Sequence, residues 1–384
     1  MKHRSLIRTA ALAAVLSVPL LGWAADLKLG FITSLSGPSS SLGIPYSKGL
    51  QAGVTYRPDI AGKKVQVVQL DDASDPTTAA RNARKLVVED NVDALIGTAG
   101  TPSGIAIAGV ARELKVPFIS VAQVKPDAGN GGWMVNVPQA TPLMVDTLVA
   151  HMQRSGVKTV AYIGFSDAWG DIVYDALLVA AKKNGIKVVT NERYARNDSS
   201  VTGQALKIVA ARPDAVLSGT SGTPGALAYL GLKARGYRGK IYGTHGIINP
   251  DFIRVGGGAL ENLYAPTGPV VVADQLPANH LSRKISLDFR SAYKKTFQAD
   301  ATDAFAPYAF DAWLIFLDAA QRTMAQKQPG TPEFRAALLN SLLSTKELVG
   351  TQGVYNFRPE NIFNTDPRSV VMVRLEKGKW KYMP

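Results

Sequence analysis

The chain has 384 residues, no cysteine and a formal charge of +13 at pH 7. A chain of this length can bury the cores of about two or three domains, so it can fold without disulfides. Its basic residues are scattered and form no run of five or six, which is typical of a solvated surface rather than of a nucleic-acid-binding tract.

The first residues have the pattern of an export signal. Three basic residues precede an apolar run over 9–21, and small residues follow at Gly22 and Ala24. Because the run is short for a bilayer span, we expect 1–24 to be cleaved near Ala24 or Ala25. An N-terminal membrane anchor is the alternative. With no cysteine to carry a lipid, export favours the periplasm of a Gram-negative cell and leaves no role for nucleic acid.

From residue 27 the pattern alternates between strands and helices. This alternation predicts a parallel sheet with helices on both faces. Asp75-Pro76 is typical of a helix N-cap followed by proline at the first helical position. The strands are predicted at 27–33, 64–70, 94–96 and 117–121, and the helices at 44–56, 77–89 and 103–114.

A second series of the same kind follows. Glycines end several of its helices, for example Gly156, Gly185 and Gly236. Its strands are predicted at 159–164, 187–192, 215–218 and 240–242, and its helices at 142–155, 169–184, 201–211 and 224–235. Three further helices, at 281–298, 304–325 and 332–343, precede an antiparallel ribbon near the C-terminus. The middle helix carries an aromatic stripe typical of a core.

Segments rich in Pro, Gly and Thr separate these series at 137–142, 265–269 and 349–353. Three connections between two separately cored lobes predict a hinge, because a few residues can absorb a rotation while the lobes stay rigid. The sequence therefore predicts a first lobe of residues 26–139 with 270–348, and a second lobe of residues 140–269 with 349–384.

Hydroxyl-bearing loops follow two strands of the first series. One holds three consecutive serines at 39–41, and the other is the segment 97–103. Strand ends in parallel sheets bind small ligands, and helix N-termini favour anions, so we expect an anionic ligand at this edge. The serine loop also fits an ordinary polar turn. No phosphate loop, dinucleotide fingerprint, nucleophile elbow or paired-cysteine metal motif is present, so no catalytic residue, metal or cofactor is predicted.

These features together resemble the type I periplasmic solute-binding proteins of ABC importers, in the Leu/Ile/Val-binding branch, over essentially the whole mature chain. The resemblance implies an α/β fold of two lobes, each a parallel sheet flanked by helices, joined by a three-stranded hinge. The motifs that carry it are Ser36-Gly37-Pro38 with Gly43, Asp71-Asp72-x-x-Asp75-Pro76, residues 97–103, residues 116–120, Asp167-x-x-Gly170 and residues 243–246.

The resemblance also implies a site in the cleft between the lobes. Thr101 matches the family's carboxylate-binding serine, and Trp169 matches a tyrosine that lines the cleft. His245 stands where amino-acid-binding members have the acid that accepts the ligand's ammonium, and Leu42 stands where an aromatic residue is common. Together with the strand-end loops, this gives the predicted ligand-binding residues Ser40, Thr101, Ser103, Ala122, Gln123, Trp169, Ser221 and His245.

The loss of the acid at position 245 leaves the ligand open between an amino acid and another organic or aromatic acid. A histidine would suit a second carboxylate, a hydroxyl or a keto group. Alternatively, His245 points away and another acid accepts the ammonium. The predicted function is a monomeric periplasmic receptor that closes on a small carboxylate-bearing solute and presents it to an ABC permease. An exported sensor and, less favoured, an enzyme on the same fold are the alternatives.

Overall fold

The computed structural model describes residues 27–60, 62–125 and 132–384. The predicted export signal at 1–24 lies outside these ranges. Within them, no helix combines the length and the apolar character needed to cross a membrane.

The first stretch of the chain builds most of one sheet. Asp75 caps α2 as predicted, because its side chain accepts a hydrogen bond from the Thr78 N–H at 2.7 Å. The elements are β1 (Leu27–Thr33), α1 (Ser40–Tyr56), β2 (Asp59–Ile60), β3 (Lys63–Asp71), α2 (Pro76–Val88), β4 (Ala94–Gly97), α3 (Thr101–Glu113), β5 (Phe118–Ser120) and β6 (Met134–Gln139).

The second stretch builds most of another sheet. Asp167 caps one of its helices, since its carboxylate accepts hydrogen bonds from the N–H groups of Trp169 and Gly170. The elements are α4 (Thr141–Arg154), β7 (Thr159–Phe165), α5 (Ala168–Lys183), β8 (Lys187–Tyr194), α6 (Thr202–Ala211), β9 (Ala215–Gly219), α7 (Ala226–Ala234), β10 (Lys240–Gly243), α8 (Pro250–Gly256) and β11 (Tyr264–Thr267).

The remaining chain returns to the first sheet and then to the second. Its helices are α9 (Arg283–Phe297), α10 (Phe305–Met324) and α11 (Pro332–Leu343), and its strands are β12 (Leu348–Gly350), β13 (Gly353–Tyr355), β14 (Phe363–Asn364), β15 (Val371–Glu376) and β16 (Lys379–Met383).

Two seven-stranded sheets define two lobes. The first lobe has the strand order β14-β6-β5-β4-β1-β3-β2, and the second has β16-β15-β11-β10-β9-β7-β8. The inner strands of both are parallel, whereas β2, β15 and β16 pair antiparallel. The predicted pair of parallel α/β sheets is therefore confirmed. In the first lobe β1 lies between β3 and β4, which brings the loops after all three strands to one edge.

Helix α10 forms the centre of the first lobe's core. It packs along α1, where glycines allow a close approach: a Cβ at Gly49 would lie 1.8 Å from the Ala306 carbonyl oxygen. The predicted aromatic stripe is buried. It consists of Phe305, Ala309, Trp313, Phe316 and Ala320.

Three crossovers connect the lobes, and the third lies later than predicted. The first crossover runs from β6 to α4, and the second leaves the end of β11. They coincide with the Pro- and Gly-rich segments at 137–142 and 265–269. The third runs between β14 and β15. Strand β14 pairs with β6 through Phe363 and Asn136, and the buried Asp311 of α10 accepts hydrogen bonds from the N–H groups of Thr351 and Gln352. Residues 349–364 therefore pack in the first lobe, and the predicted boundary at 349 is wrong.

Candidate ligand-binding cleft

A narrow pocket of about 30 Å³ lies between the two lobes. Both lobes contribute to its wall, so its shape depends on how they are arranged. From the first lobe it is lined by Leu42, Tyr46, Ala99, Thr101, Val121, Ala122, Gln123 and Phe305, and from the second by Trp169, Arg196, Ser221, His245 and Gly246.

Direct hydrogen bonds hold the lobes together at the mouth of this cleft. The Thr223 N–H donates to Ser41 Oγ at 3.1 Å, and the Asn249 side-chain amide donates to the Ser41 carbonyl oxygen. Farther along, the Ala304 N–H donates to the Ile248 carbonyl oxygen at 3.0 Å. The structure is therefore a closed form, and a solute can enter only when the lobes separate.

A buried carboxylate holds the loops of the first lobe in place. Asp72 is fully buried at the end of β3, where it accepts hydrogen bonds from Ser34 Oγ at 2.6 Å and from Thr98 Oγ1. It thus joins the loop after β1 to the loop after β4. Such charge-assisted bonds are stronger than neutral ones, so the loop that leads to Thr101 is fixed before a ligand arrives.

Thr101 is the first residue of α3 and is 4 % exposed. The first turn of a helix has backbone N–H groups without intrahelical partners and carries a partial positive charge, so this end suits an anion. The neighbouring segment is held by Tyr46, whose hydroxyl donates to the Val121 carbonyl oxygen at 2.8 Å. This geometry is compatible with the prediction that the carboxylate of a ligand contacts both Thr101 and the segment that includes Ala122 and Gln123.

Aromatic rings form much of the pocket wall. In the first lobe, the rings of Tyr46 and Phe305 meet edge to face with centroids 5.6 Å apart. In the second lobe, Trp169 and His245 meet in the same way at 5.6 Å. A flat apolar group between such walls would bury its surface against the aromatic rings.

Two polar atoms in this wall have no partner among the described residues. They are Trp169 Nε1 and His245 Nδ1, both buried. Burial also lowers the pKa of His245 from 6.5 to about 4, so its imidazole is neutral at pH 7. Because buried polar groups are normally hydrogen-bonded, these two atoms can serve a ligand, and the indole N–H can serve only an acceptor.

Arg196, which the sequence analysis missed, brings a cation to the cleft. Its Nε donates to Asp167 Oδ2 at 2.6 Å and its Nη1 to Ser221 Oγ at 3.0 Å, while its guanidinium carbon lies 4.1 Å from the centroid of the Phe165 ring. Arg196 follows β8 by two residues, so the strand-end rule used for the first lobe could have found it. Its fixed orientation depends on residues that are distant in the sequence.

Most of the predicted site residues meet in the cleft. Thr101, Ala122, Gln123, Trp169, Ser221 and His245 line the pocket. Ser40 and Ser103 do not. Ser40 lies at the start of α1 on the outer groove beside Thr223, and Ser103 is buried in the first turn of α3.

The cleft offers donors and one cation but no counterion for an ammonium. None of the described residues that line it is Asp or Glu. The nearby Asp167 already accepts from Arg196 and caps α5. No cluster of His, Asp or Glu suited to a metal ion occurs in the described part of the chain.

A larger groove of about 710 Å³ lies on the flank of the molecule. Its principal charged pair, Arg290 with Asp274, is already joined in an ion pair, and Arg290 also donates to the Val270 carbonyl oxygen at 2.8 Å. Arg290 is thus ion-paired, as Arg196 is in the cleft, so this pair does not decide between the two sites. The cleft is the candidate site because both lobes line it and because Thr101, Trp169 and His245 meet there.

Known proteins match the chain over nearly its whole described length. The family model described as "Periplasmic binding protein" matches residues 26–379. An extracellular ligand-binding receptor from Rhodopseudomonas palustris HaA2 is 36 % identical, with a TM-score of 0.90 over 94 % of this chain and all of that one. Leu/Ile/Val-binding protein homolog 3 of Brucella melitensis is 26 % identical over 66 % of this chain and 70 % of its own length.

A more distant solved structure has the same fold. It is a solute-binding protein of an ABC transporter from R. palustris in complex with benzoate, 19 % identical over 94 % of this chain and 96 % of its own, with a TM-score of 0.75. Two closed lobes, three crossovers and a polar cleft between them are thus found together with a family match over nearly the full sequence. The chain belongs to the periplasmic binding protein family and is similar to its Leu/Ile/Val-binding members.

Proposed function

We propose that this protein is the periplasmic receptor of an ABC importer and that it binds a small carboxylate which carries no ammonium group. The observation that carries the proposal is the charge of the cleft. Arg196, whose guanidinium is paired on one side with Asp167, and the N-terminus of α3 are positive, and no described residue that lines the pocket is acidic. The body of the ligand is a flat apolar group, because aromatic rings form much of the wall.

The carboxylate lies between the lobes, with Thr101 and the backbone near Ala122 on one side and Arg196 on the other. Each charge-assisted hydrogen bond contributes about 1.5 to 3 kcal/mol. A micromolar complex requires about −8 kcal/mol, so a few such bonds supply much of it, and burial of the apolar body supplies the rest. Trp169 Nε1 can donate to an acceptor elsewhere on the ligand, and the neutral His245 Nδ1 can donate or accept according to its tautomer.

An α-amino acid fits this cleft poorly. Its ammonium would be buried near Arg196 without a carboxylate, and leaving one member of a buried charge pair unmatched costs about 2 to 5 kcal/mol. The neutral His245 could accept one hydrogen bond but would not supply the missing negative charge.

Binding without catalysis is supported by the polar contacts of Ser221. Its Oγ accepts from Arg196, and no hydrogen bond to His245 is present among the described residues, so Ser221 and His245 do not form a nucleophile–base pair. An exported sensor would use the same binding step and differ only in the protein that receives the closed form. We expect a monomer after removal of the signal.

Calorimetry with pairs of ligands that differ only in the ammonium tests the proposal directly. The pairs are 3-phenylpropanoate with L-phenylalanine and 4-methylpentanoate with L-leucine, and benzoate is a fifth probe. We expect the ammonium-free acid of each pair to bind at least about thirtyfold more tightly, as the 2 to 5 kcal/mol penalty implies. Tighter binding of the amino acids would overturn the proposal.

A second measurement separates binding from catalysis. The best-bound acid should be recovered unchanged by chromatography after prolonged incubation with the protein. Steady conversion of that acid would favour the enzyme alternative.

A further inference from the structure

The three crossovers between the lobes meet at one side chain, that of Gln139. This residue is the last of β6, and its side chain is fully buried. Its Nε2 donates to the carbonyl oxygens of Gln352 at 2.7 Å and Ser369 at 2.8 Å. Its Oε1 accepts from the Tyr308 hydroxyl at 2.5 Å. One amide thus joins the start of the first crossover to Ser369, which lies on the third.

The second crossover touches the same place. A Cβ at Gly268 would lie 1.7 Å from Gln352 Oε1 and 2.9 Å from Gln139 Nε2, so only glycine allows this approach. The Gln352 side chain in turn donates to the Ala304 carbonyl oxygen at 2.6 Å. The Ala304 N–H bonds to Ile248 in the second lobe. All three connections are therefore packed around two buried amides.

This cluster is in contact with the ligand cleft on both sides. From the first lobe, the side chain of Gln123, which lines the cleft, donates to the Gln139 carbonyl oxygen. From the second lobe, His245 meets the ring of Tyr308 with centroids 6.0 Å apart, and Tyr308 is the residue that donates to Gln139. Gln123 therefore contacts Gln139 directly, and His245 is linked to it through Tyr308.

We propose that Gln139 is a positioning residue that holds the three crossovers in the closed arrangement and thereby sets the affinity of the cleft for every ligand. The inference rests on the proposed solute-binding function. Apparent affinity is the intrinsic affinity multiplied by the fraction of protein in the binding-competent state. A residue that acts only on the closed fraction changes all dissociation constants by one factor and leaves their ranking unchanged.

The test compares two buried amides of β6. Gln139→Met removes the amide at nearly constant volume. Asn136→Leu is the matched control, because the Asn136 side chain is also fully buried but, among the described residues, bonds to the N–H and carbonyl oxygen of Val124, at 3.0 and 3.1 Å, inside the first lobe. Both variants lose buried hydrogen bonds and are expected to be less stable, so stability alone does not distinguish them.

Dissociation constants of both variants are measured with 3-phenylpropanoate and benzoate. We expect Gln139→Met to weaken both by one common factor of about ten and Asn136→Leu to weaken neither more than about twofold. Unchanged constants for Gln139→Met, or a changed ranking of the two acids, would overturn the inference. Failure of the wild type to bind either acid would instead count against the proposed function.

A ligand-free measurement tests the hinge independently of that function. Because the chain has no cysteine, spin labels can be placed on Pro38→Cys and Asn197→Cys, two exposed positions on opposite sides of the cleft mouth. Pulsed electron spin resonance should show fewer short distances when Gln139→Met is added. An identical distance distribution would show that Gln139 does not set the closed fraction.

Discussion

Replacing His245 with glutamine should make the protein less sensitive to acid. His245 is 6 % exposed, its Nδ1 has no described partner, and burial lowers its pKa to about 4. Glutamine keeps a polar side chain of similar size but does not titrate. The difference in the pH dependence of stability between wild type and His245→Gln therefore reports the proton that the buried imidazole does not bind.

The sign and size of this pH effect follow from the protonation of His245 in the folded and unfolded states. Between pH 6.5 and 4 the unfolded chain binds a proton at His245 that the folded protein excludes, so the free energy of unfolding falls as the pH drops through this window. A pKa unit corresponds to 1.36 kcal/mol, which gives about 2 kcal/mol between pH 7 and pH 5. Above pH 6.5 the contribution of His245 no longer changes with pH.

Urea unfolding followed by tryptophan fluorescence at pH 7 and pH 5 provides the measurement. Asp311, whose pKa burial raises to about 6, titrates in the same range with the opposite sign, but it is present in both proteins and cancels in the difference. His280→Gln, at a half-buried loop position, is the control. Equal losses of stability for wild type and His245→Gln would refute a buried neutral imidazole.

Other substitutions probe the division of roles in the cleft. Thr101→Val should weaken 3-phenylpropanoate and benzoate alike by about tenfold in calorimetry, because it removes a shared hydroxyl at constant volume. Arg196→Gln should weaken both by about thirtyfold and reduce the salt dependence of binding, since it removes the cation. His245→Glu should reverse the preference in each ligand pair by restoring an ammonium partner, and an unchanged preference would place this side chain away from the ligand. Asn249→Ala should speed dissociation in stopped-flow measurements by removing a bond that closes the mouth.

The two parallel sheets followed from local patterns, whereas the path of the third crossover did not. Strand β14 has only two residues, Phe363–Asn364, and no periodicity of its own. It is a strand because β6 offers a free edge beside it. The helix α1 likewise begins at Ser40 rather than at 44, so two of the three consecutive serines lie in its first turn and not in an open loop.

The residues that line the cleft could be predicted where a single local rule or the family resemblance identified them, but not where their position depends on distant parts of the chain. Strand ends and helix N-termini indicated the segment that holds Thr101, and the resemblance supplied the segment at Gln123, Trp169 and His245. Ser103, two residues after Thr101 in the same helical turn, is buried and does not line the pocket in this closed form. Arg196 depends on Asp167, Ser221 and Phe165, which only the folded chain brings together.

Closure and selectivity depend on the same charges. Closing brings the guanidinium of Arg196, which Asp167 pairs on one side, and the positive end of α3 to the wall of one narrow pocket that no described acidic residue lines. A carboxylate between them stabilises the closed state more than the open one, and a ligand shifts a conformational equilibrium only through such a difference. An ammonium would add a third positive group to the same space. The proposed function therefore predicts that the cleft does not close on amino acids, so their binding should be weak and should not shorten the distances across the mouth.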